Sequence, residues 1–389
     1  MDFENTEIAF KSKSQRDLKR AHFLFNAISK SWLVKTGKAF VNTSLKIHFP
    51  MGWMVKPTVY RHFVGGETIE DCRGIVRMLE KFNVNAILDY SVEGKESPED
   101  IQLALDETLR TVKNAAQDKN IPFAVFKPTA FINTEALEKI SANKELSAME
   151  LQEADNFKKR VGLLCQTAYE LGTPILIDAE DCRYQSFFDD VVTAMMEKYN
   201  REKAVVFNTL QMYRRDRLGF LEKAYYKAVE GNYFLGIKFV RGAYMERERA
   251  RATRMGYPSP IHPDKESTDR DYDLALKYSV EHIDRISIFN GTHNEKSSAL
   301  LADLMKQHNI PANDPRCFFS QLFGMSDHIS FNLANEGYNV AKYLPYGPVS
   351  HVLPYLIRRV EENTSVAGQT GRELTLITKE LNRRKSIMN

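Results

Sequence analysis

Residues 203–244 read KAVVFNTLQMYRRDRLGFLEKAYYKAVEGNYFLGIKFVRGAY. A β-branched and aromatic run begins at Lys203 and a second at Phe234, and the stretch between them closes on Gly231, a residue that commonly ends helices. That is one strand, helix, strand unit. Moving outward, six further runs share the strand character: NAILDYS from Asn85, FAVFKPTAF from Phe123, PILIDAED from Pro174, RISIFNGTHN from Arg285, RCFFSQLFGM from Arg316 and NVAKYLPYG from Asn339. Helix signals separate them, among them Ser97-Pro98 followed by Asp100, and the closing glycines Gly172 and Gly337. Eight alternating units predict an α/β fold, a (βα)8 TIM barrel. A doubly wound sheet would place a glycine-rich phosphate turn after its first strand, and DYSVEGKESPED contains no G-x-G-x-x-G.

The 389 residues carry 54 basic and 51 acidic side chains, a net charge of +3, with no long basic tract. Nucleic-acid binding is excluded as the leading reading. Cys72, Cys165, Cys182 and Cys317 form no C-x-x-C pair, so the pattern predicts neither a zinc site nor a disulfide framework, and points to a reducing compartment. No apolar run reaches the ~20 residues of a membrane span, and the amino end reads as polar sequence rather than a signal peptide. Before the barrel, Leu18, Phe23, Leu24 and Ile28 recur at helical spacing from Ser14 onward, which predicts an N-terminal helical segment over 1–66. The barrel is expected over 67–363 and a tail over 364–389.

Polar residues end the predicted strands: Asp89, Lys127, Asp178, Gln211, Arg241, Thr292 with His293, Gln321 and Tyr343. In a barrel such ends line one mouth. After the eighth strand, Pro354 is expected in the first turn of a helix running from about His351 to Asn363. Tyr355, Arg358, Arg359 and Glu362 then share one face, while Leu353, Leu356, Ile357 and Val360 share the other. One reading of the polar face is a solvated surface with an Arg358–Glu362 pair. The alternative is a helix over the barrel mouth, where two partly desolvated guanidiniums need an anion, and a small carboxylate held in bidentate fashion meets that need.

FKPTAF, LIDAED, NTLQMYRRD, KFVRGAYMERERARA, NGTHN, QLFGM and YLPYGPVSHVLPYLIRRVEEN occur in that order between about Phe63 and Asn363. In this combination the chain resembles proline dehydrogenase, an FAD enzyme with a distorted (βα)8 barrel, and more the monofunctional, mitochondrial-type branch than the bifunctional bacterial proteins. The resemblance implies oxidation of L-proline to pyrroline-5-carboxylate, with a quinone as the onward electron acceptor. It implies that Lys127, Arg358 and Arg359 hold the carboxylate and that Tyr343 and Tyr355 wall the ring. Lys127 could otherwise be a snorkelling strand-end lysine. Asp178 is implied as the active-site aspartate, against a helix-cap reading. Lys238 is implied as the cation beside the flavin, against a salt-bridged strand lysine.

The implied cofactor set is Gln211, Val240, Arg241, Gly242, Thr268, Thr292, His293, Asn294 and Glu362. His293 could equally be a structural histidine, and the VRGAY segment an ordinary strand-to-helix turn. Hydroxyproline oxidation on the same scaffold is the alternative, and Tyr343 argues for proline because its ring would crowd a ring hydroxyl. In the tail, Leu374, Ile377 and Leu381 lie beside Arg383, Arg384 and Lys385, which allows either a capping helix or a peripheral membrane contact. If the source is bacterial, the expected location is the cytoplasm, peripheral at the inner membrane.

Overall fold

A computed structural model describes residues 1–30, 32, 55–91, 97–142, 144–365 and 369–388. Among them are the eight expected strands: β1 (Asn85–Tyr90), β2 (Ala124–Phe126), β3 (Ile175–Ile177), β4 (Val206–Gln211), β5 (Leu235–Val240), β6 (Ile286–Gly291), β7 (Cys317–Leu322) and β8 (Val340–Tyr346). They form one sheet in the order β1-β8-β7-β6-β5-β4-β3-β2, with helices between successive strands. The ladders from β2 through β7 are parallel. This is the predicted (βα)8 arrangement, with β1 and β2 at the two ends of the hydrogen-bonded order. The strands read as continuous apolar runs because both of their faces are buried.

By contact the chain divides into two compact units. The larger comprises Ile87–Tyr90 and Gly94–Ser320; the smaller comprises Met1–Ala86, Ser91–Glu93 and Gln321–Asn389.

In the larger unit, Phe207 of β4, Phe289 of β6 and Phe318 of β7 gather around Phe123, with ring centroids 5.4, 5.1 and 4.9 Å from it. All three contacts are edge-to-face, the geometry that aligns a ring's positive edge with its neighbour's negative face. The Ser97 cap and Pro98 open the Pro98–Gln117 helix as expected.

In the smaller unit, the described part of the N-terminal segment is bonded to the end of β8. Gly65 N–H donates to Pro345 O at 2.8 Å, Gly347 N–H to Gly66 O at 3.0 Å, and Tyr60 Oη–H to Gly347 O at 2.9 Å. Ser14 caps the Gln15–Ile28 helix in a capping box with Asp17. Leu18, Phe25 and Ile28 are buried, but Phe23 is 74% exposed. The expected apolar stripe was therefore misplaced, and Phe25 takes the core position assigned to Phe23. Residues 33–54, the rest of the predicted helical stretch, lie outside the described residues.

The tail is a helix over Gln369–Met388. Leu376 and Ile377 are buried with Ala9, Phe10, Leu18, Ala21 and Phe25, and Leu374 and Leu381 pack against the same cluster. The apolar face of the tail is thus packed against the N-terminal helices, as a helix covering other parts of the fold would be. Arg383 and Arg384 bind Glu380 on the same helix, and Arg384 also donates to the Lys13 and Phe10 carbonyl oxygens. No described helix is long and apolar enough to cross a membrane. The four cysteines are free thiols.

Candidate active site

In the larger unit two lysine–aspartate pairs stand at strand ends. Lys127 follows β2 directly, and its Nζ lies 2.6 Å from Asp89 of β1. Since β1 and β2 stand at the two ends of the sheet's hydrogen-bonded order, this ion pair links those two end strands. Lys238 of β5 lies 2.6 Å from Asp178, the residue after β3, with both side chains largely buried. The register places Lys238 beside Thr209 of β4 and Phe289 of β6. Asp178 is not the cap of the following helix: Asp181 accepts the Arg183 N–H and caps Cys182–Tyr199. Glu180 ties the neighbouring turns together, accepting the N–H and the hydroxyl of Thr129, both at 2.8 Å.

The residues expected to hold a cofactor lie on adjacent elements. Gln211 ends β4 in register with Val240 of β5. Arg241 follows β5 and donates to Thr292 Oγ1 at 2.6 Å, Ser297 Oγ at 3.0 Å and Asp269 Oδ1 at 2.8 Å, with its guanidinium 4.3 Å from the Tyr272 ring centroid. The cation expected to meet a pyrophosphate is therefore counterbalanced by Asp269. Burial raises the Asp269 pKa, but Lys265 and Arg241 outweigh that and hold it below the usual carboxylate range. Thr268 precedes Asp269 on the Lys265–Glu281 helix, and its hydroxyl donates to Asp264 O. Asn294 caps Glu295–Gln307 by accepting the Ser297 N–H, and donates its own N–H to Thr292 Oγ1. His293 lies between Thr292 and Asn294.

One feature of this set suits a flavin dinucleotide. Gln211 is 2% exposed, yet its Oε1 has no hydrogen-bond partner among the described residues, a state that buried polar atoms rarely keep without a ligand. Gly242 has φ +118°, and a Cβ there would come within 2.5 Å of the Tyr213 ring. The position needs glycine, because φ there is left-handed and the Tyr213 ring takes the space a side chain would occupy. The residues present fit the cofactor.

In the smaller unit the arginine doublet sits on a helix over Val349–Ser365. Pro354 lies inside this helix rather than in its first turn, because the helix begins two residues earlier than expected. Val352, Leu353 and Leu356 pack into a cluster with Phe63, Val64 and Met325, which anchors the apolar back. The other face is not solvated: Tyr355 is 4% exposed and Arg359 8%. The Arg359 guanidinium lies 5.1 Å from the Tyr355 ring centroid, one turn away. Arg358 is partly buried. The Glu362 side chain, and with it the Arg358–Glu362 pair, lies outside the described residues. Tyr343 is 7% exposed and stands in the middle of β8 rather than at its end, its carbonyl accepting the Phe323 N–H at 2.8 Å.

Sequence reading missed the ion-pair partners. Asp89 was visible as a strand-end acid, but nothing local joined it to Lys127, 38 residues away. Asp269 gave no signal beyond its place one residue after Thr268.

Eight parallel strands whose ends carry paired charges have the layout of a barrel enzyme. A sequence profile described as proline dehydrogenase matches residues 72–372, and the chain belongs to the proline dehydrogenase family. Among curated proteins it is 35% identical over 322 residues to the carbapenem antibiotics biosynthesis protein CarD of Pectobacterium carotovorum, covering 83% of each chain. It is 29% identical over 430 residues to mitochondrial proline dehydrogenase 1 of Dictyostelium discoideum, covering 99% of this chain and 75% of that one. A crystal structure of proline utilization A from Bdellovibrio bacteriovorus, inactivated by N-propargylglycine, matches the fold with a TM-score of 0.76 at 20% identity, over 94% of this chain and 42% of that one. The chain thus spans about two fifths of that larger protein.

Proposed function

We propose that this chain oxidises L-proline to pyrroline-5-carboxylate with FAD as its cofactor, and that the electrons pass onward to a quinone. The observation that carries the reading is the buried Arg359 stacked on Tyr355 within a chain matched by the family profile from 72 to 372. A guanidinium held largely out of water presents a fork of two donors that matches a carboxylate.

In this reading Arg358, Arg359 and Lys127 bind the proline carboxylate, and Tyr343 and Tyr355 wall the pyrrolidine ring. Asp178 holds Lys238 and balances its charge. Bound FAD supplies the acceptor for the hydride that leaves proline C5. As C5 loses hydride, the ring nitrogen contributes its electron pair to the new C=N bond, so that nitrogen must first lose its ammonium proton. Solvent takes that proton. The chain then acts by binding and orienting, which convert an encounter into an aligned reaction. Gln211, Val240, Arg241, Gly242, Thr268, Thr292, His293, Asn294 and Glu362 are the residues proposed to hold the cofactor.

The test is anaerobic titration of the purified protein with L-proline, followed by absorbance. A flavin spectrum that bleaches on proline addition is expected, more readily than with 4-hydroxyproline. A colourless protein, or a flavin that proline leaves oxidised, would overturn the reading. Arg358→Met and Arg359→Met should each raise the KM for proline by about tenfold or more, the loss of one charge-assisted contact.

A further inference from the structure

Behind the turns that carry Asp178 and Gly242 lies a buried group to which the proposed reaction assigns nothing. Glu248, on the Met245–Met255 helix after β5, is 1% exposed. Its Oε1 accepts the Cys182 N–H at 2.8 Å, so a side chain from one helix satisfies an orphan N–H at the start of another. Tyr213, 2% exposed, places its hydroxyl beside the same carboxyl. The Tyr213 hydroxyl and Glu248 Oε2 are both buried, and neither has a partner in strict hydrogen-bond geometry among the described residues, which leaves each as the other's natural partner. The Tyr213 ring fills the space in front of Gly242, while its N–H donates to Arg241 O at 2.9 Å and its carbonyl accepts the His262 N–H at 2.8 Å.

We propose that Glu248 is a positioning residue: it ties the turn after β3, on which Asp178 lies, to the Arg241–Gly242 turn after β5 by way of Tyr213. The inference rests on the proline-oxidation reading and adds to it the device that holds two of its turns in register. Burial raises the Glu248 pKa. The carboxyl can accept from Cys182 through one oxygen and, through the other, accept from the Tyr213 hydroxyl or, when neutral, donate to it. A glutamine can make the same two bonds.

A cation is the competing occupant, because Asp181, Cys182 and Glu248 each offer a ligand atom within 4.8 Å of one another. The surroundings oppose it. Arg183 grips both Asp181 oxygens at 3.0 Å, Arg247 lies 3.5 Å from one of them, and burial pushes the Cys182 thiol up to about 12.

The experiment compares Glu248→Ala, Glu248→Gln and Tyr213→Phe with the unmodified full chain. Three quantities are read: FAD dissociation constants of the apoproteins, kcat and KM for L-proline, and melting temperature. Glu248→Ala should weaken FAD binding about tenfold and lower kcat by roughly ten- to a hundredfold, with KM for proline little changed, because the displaced turns do not carry Arg358 or Arg359. Glu248→Gln should restore both FAD affinity and kcat to within about threefold of the unmodified chain, as a matched pair of hydrogen bonds predicts. Wild-type FAD affinity and kcat in Glu248→Ala, with only the melting temperature lowered, would reduce Glu248 to a structural role and overturn the proposal. So would a Glu248→Gln variant as impaired as the alanine. If Glu248→Ala does not fold, Tyr213→Phe decides, since it keeps the ring on Gly242 and removes only the hydroxyl. Lowered FAD affinity and kcat in that variant support the link, and unchanged values overturn it. Failure of the unmodified protein to bleach with proline would count against the proline reading alone, because apoprotein FAD affinities still report on Glu248.

Discussion

Four residues apart on one helix, Tyr355 and Arg359 are almost wholly withdrawn from water, whereas arginine on an ordinary helix face keeps its charge solvated. The i, i+3, i+4 spacing of the aromatic and the cations was readable in the sequence; their burial was not, because burial depends on what packs around the helix. His62 makes a related point in the smaller unit. Burial holds its imidazole down to about 4, with Nε2 2.8 Å from the Gly324 carbonyl oxygen. The unfolded chain titrates this group near the ordinary 6.5, so as pH falls the unfolded state takes up the proton first. The stability His62 contributes is therefore fully present above about pH 6.5 and is lost as pH falls toward 4. Urea midpoints between pH 7 and 4.5 should record a loss of about 2 kcal/mol in the wild type. His62→Gln should flatten that part of the profile, and an equal slope in both proteins would assign the effect elsewhere.

At the scale of elements, the strands were legible because a buried parallel strand has to be apolar along its whole length. The Pro98 helix was legible because capping chemistry is local. The Val349–Ser365 helix was placed two residues late, since proline marks a first turn only on average and Pro354 sits deeper. The tail was the least legible, because an amphipathic stripe does not say what covers it. Its cover is the N-terminal helices, and Glu373 adds a polar link. Glu373 is 3% exposed and accepts the Ser326 N–H at 2.5 Å, at the start of the Asp327–Asn335 helix, where Ser326 provides no side-chain cap of its own. Glu373→Ala should cost about 1–2 kcal/mol in chemical denaturation, the range for a lost cap, and Glu373→Gln distinctly less. Deleting residues 369–388 uncovers Phe10, Leu18 and Phe25, and should lower the melting temperature by several degrees. Sedimentation with anionic liposomes should be the same with and without those residues, because their apolar face is already engaged.

For the whole molecule, the eight alternating units gave the fold class, yet nothing in the chain announced that an ion pair would span the ends of the sheet order. Lys127 has two tasks in this arrangement: it is proposed to bind the substrate carboxylate, and its contact with Asp89 joins β1 to β2. Lys127→Met should therefore both raise the KM for proline and lower thermal stability, whereas the arginine variants should act mainly on KM. Calorimetry beside steady-state kinetics separates the two, and an unshifted melting temperature in Lys127→Met would remove the joining role.

The smaller unit is assembled from both ends of the chain, Met1–Ala86 with Gln321–Asn389, while the larger is almost continuous in sequence. A ribosome therefore releases the C-terminal partners of Phe10, Leu18, Phe25 and Phe63, among them Leu376, Ile377, Met325 and Val352, only after Ser320 has emerged. At typical elongation rates that delay is on the order of tens of seconds, far longer than local helix formation takes. Throughout it, the nascent N-terminal segment has only its own half of the core to pack against.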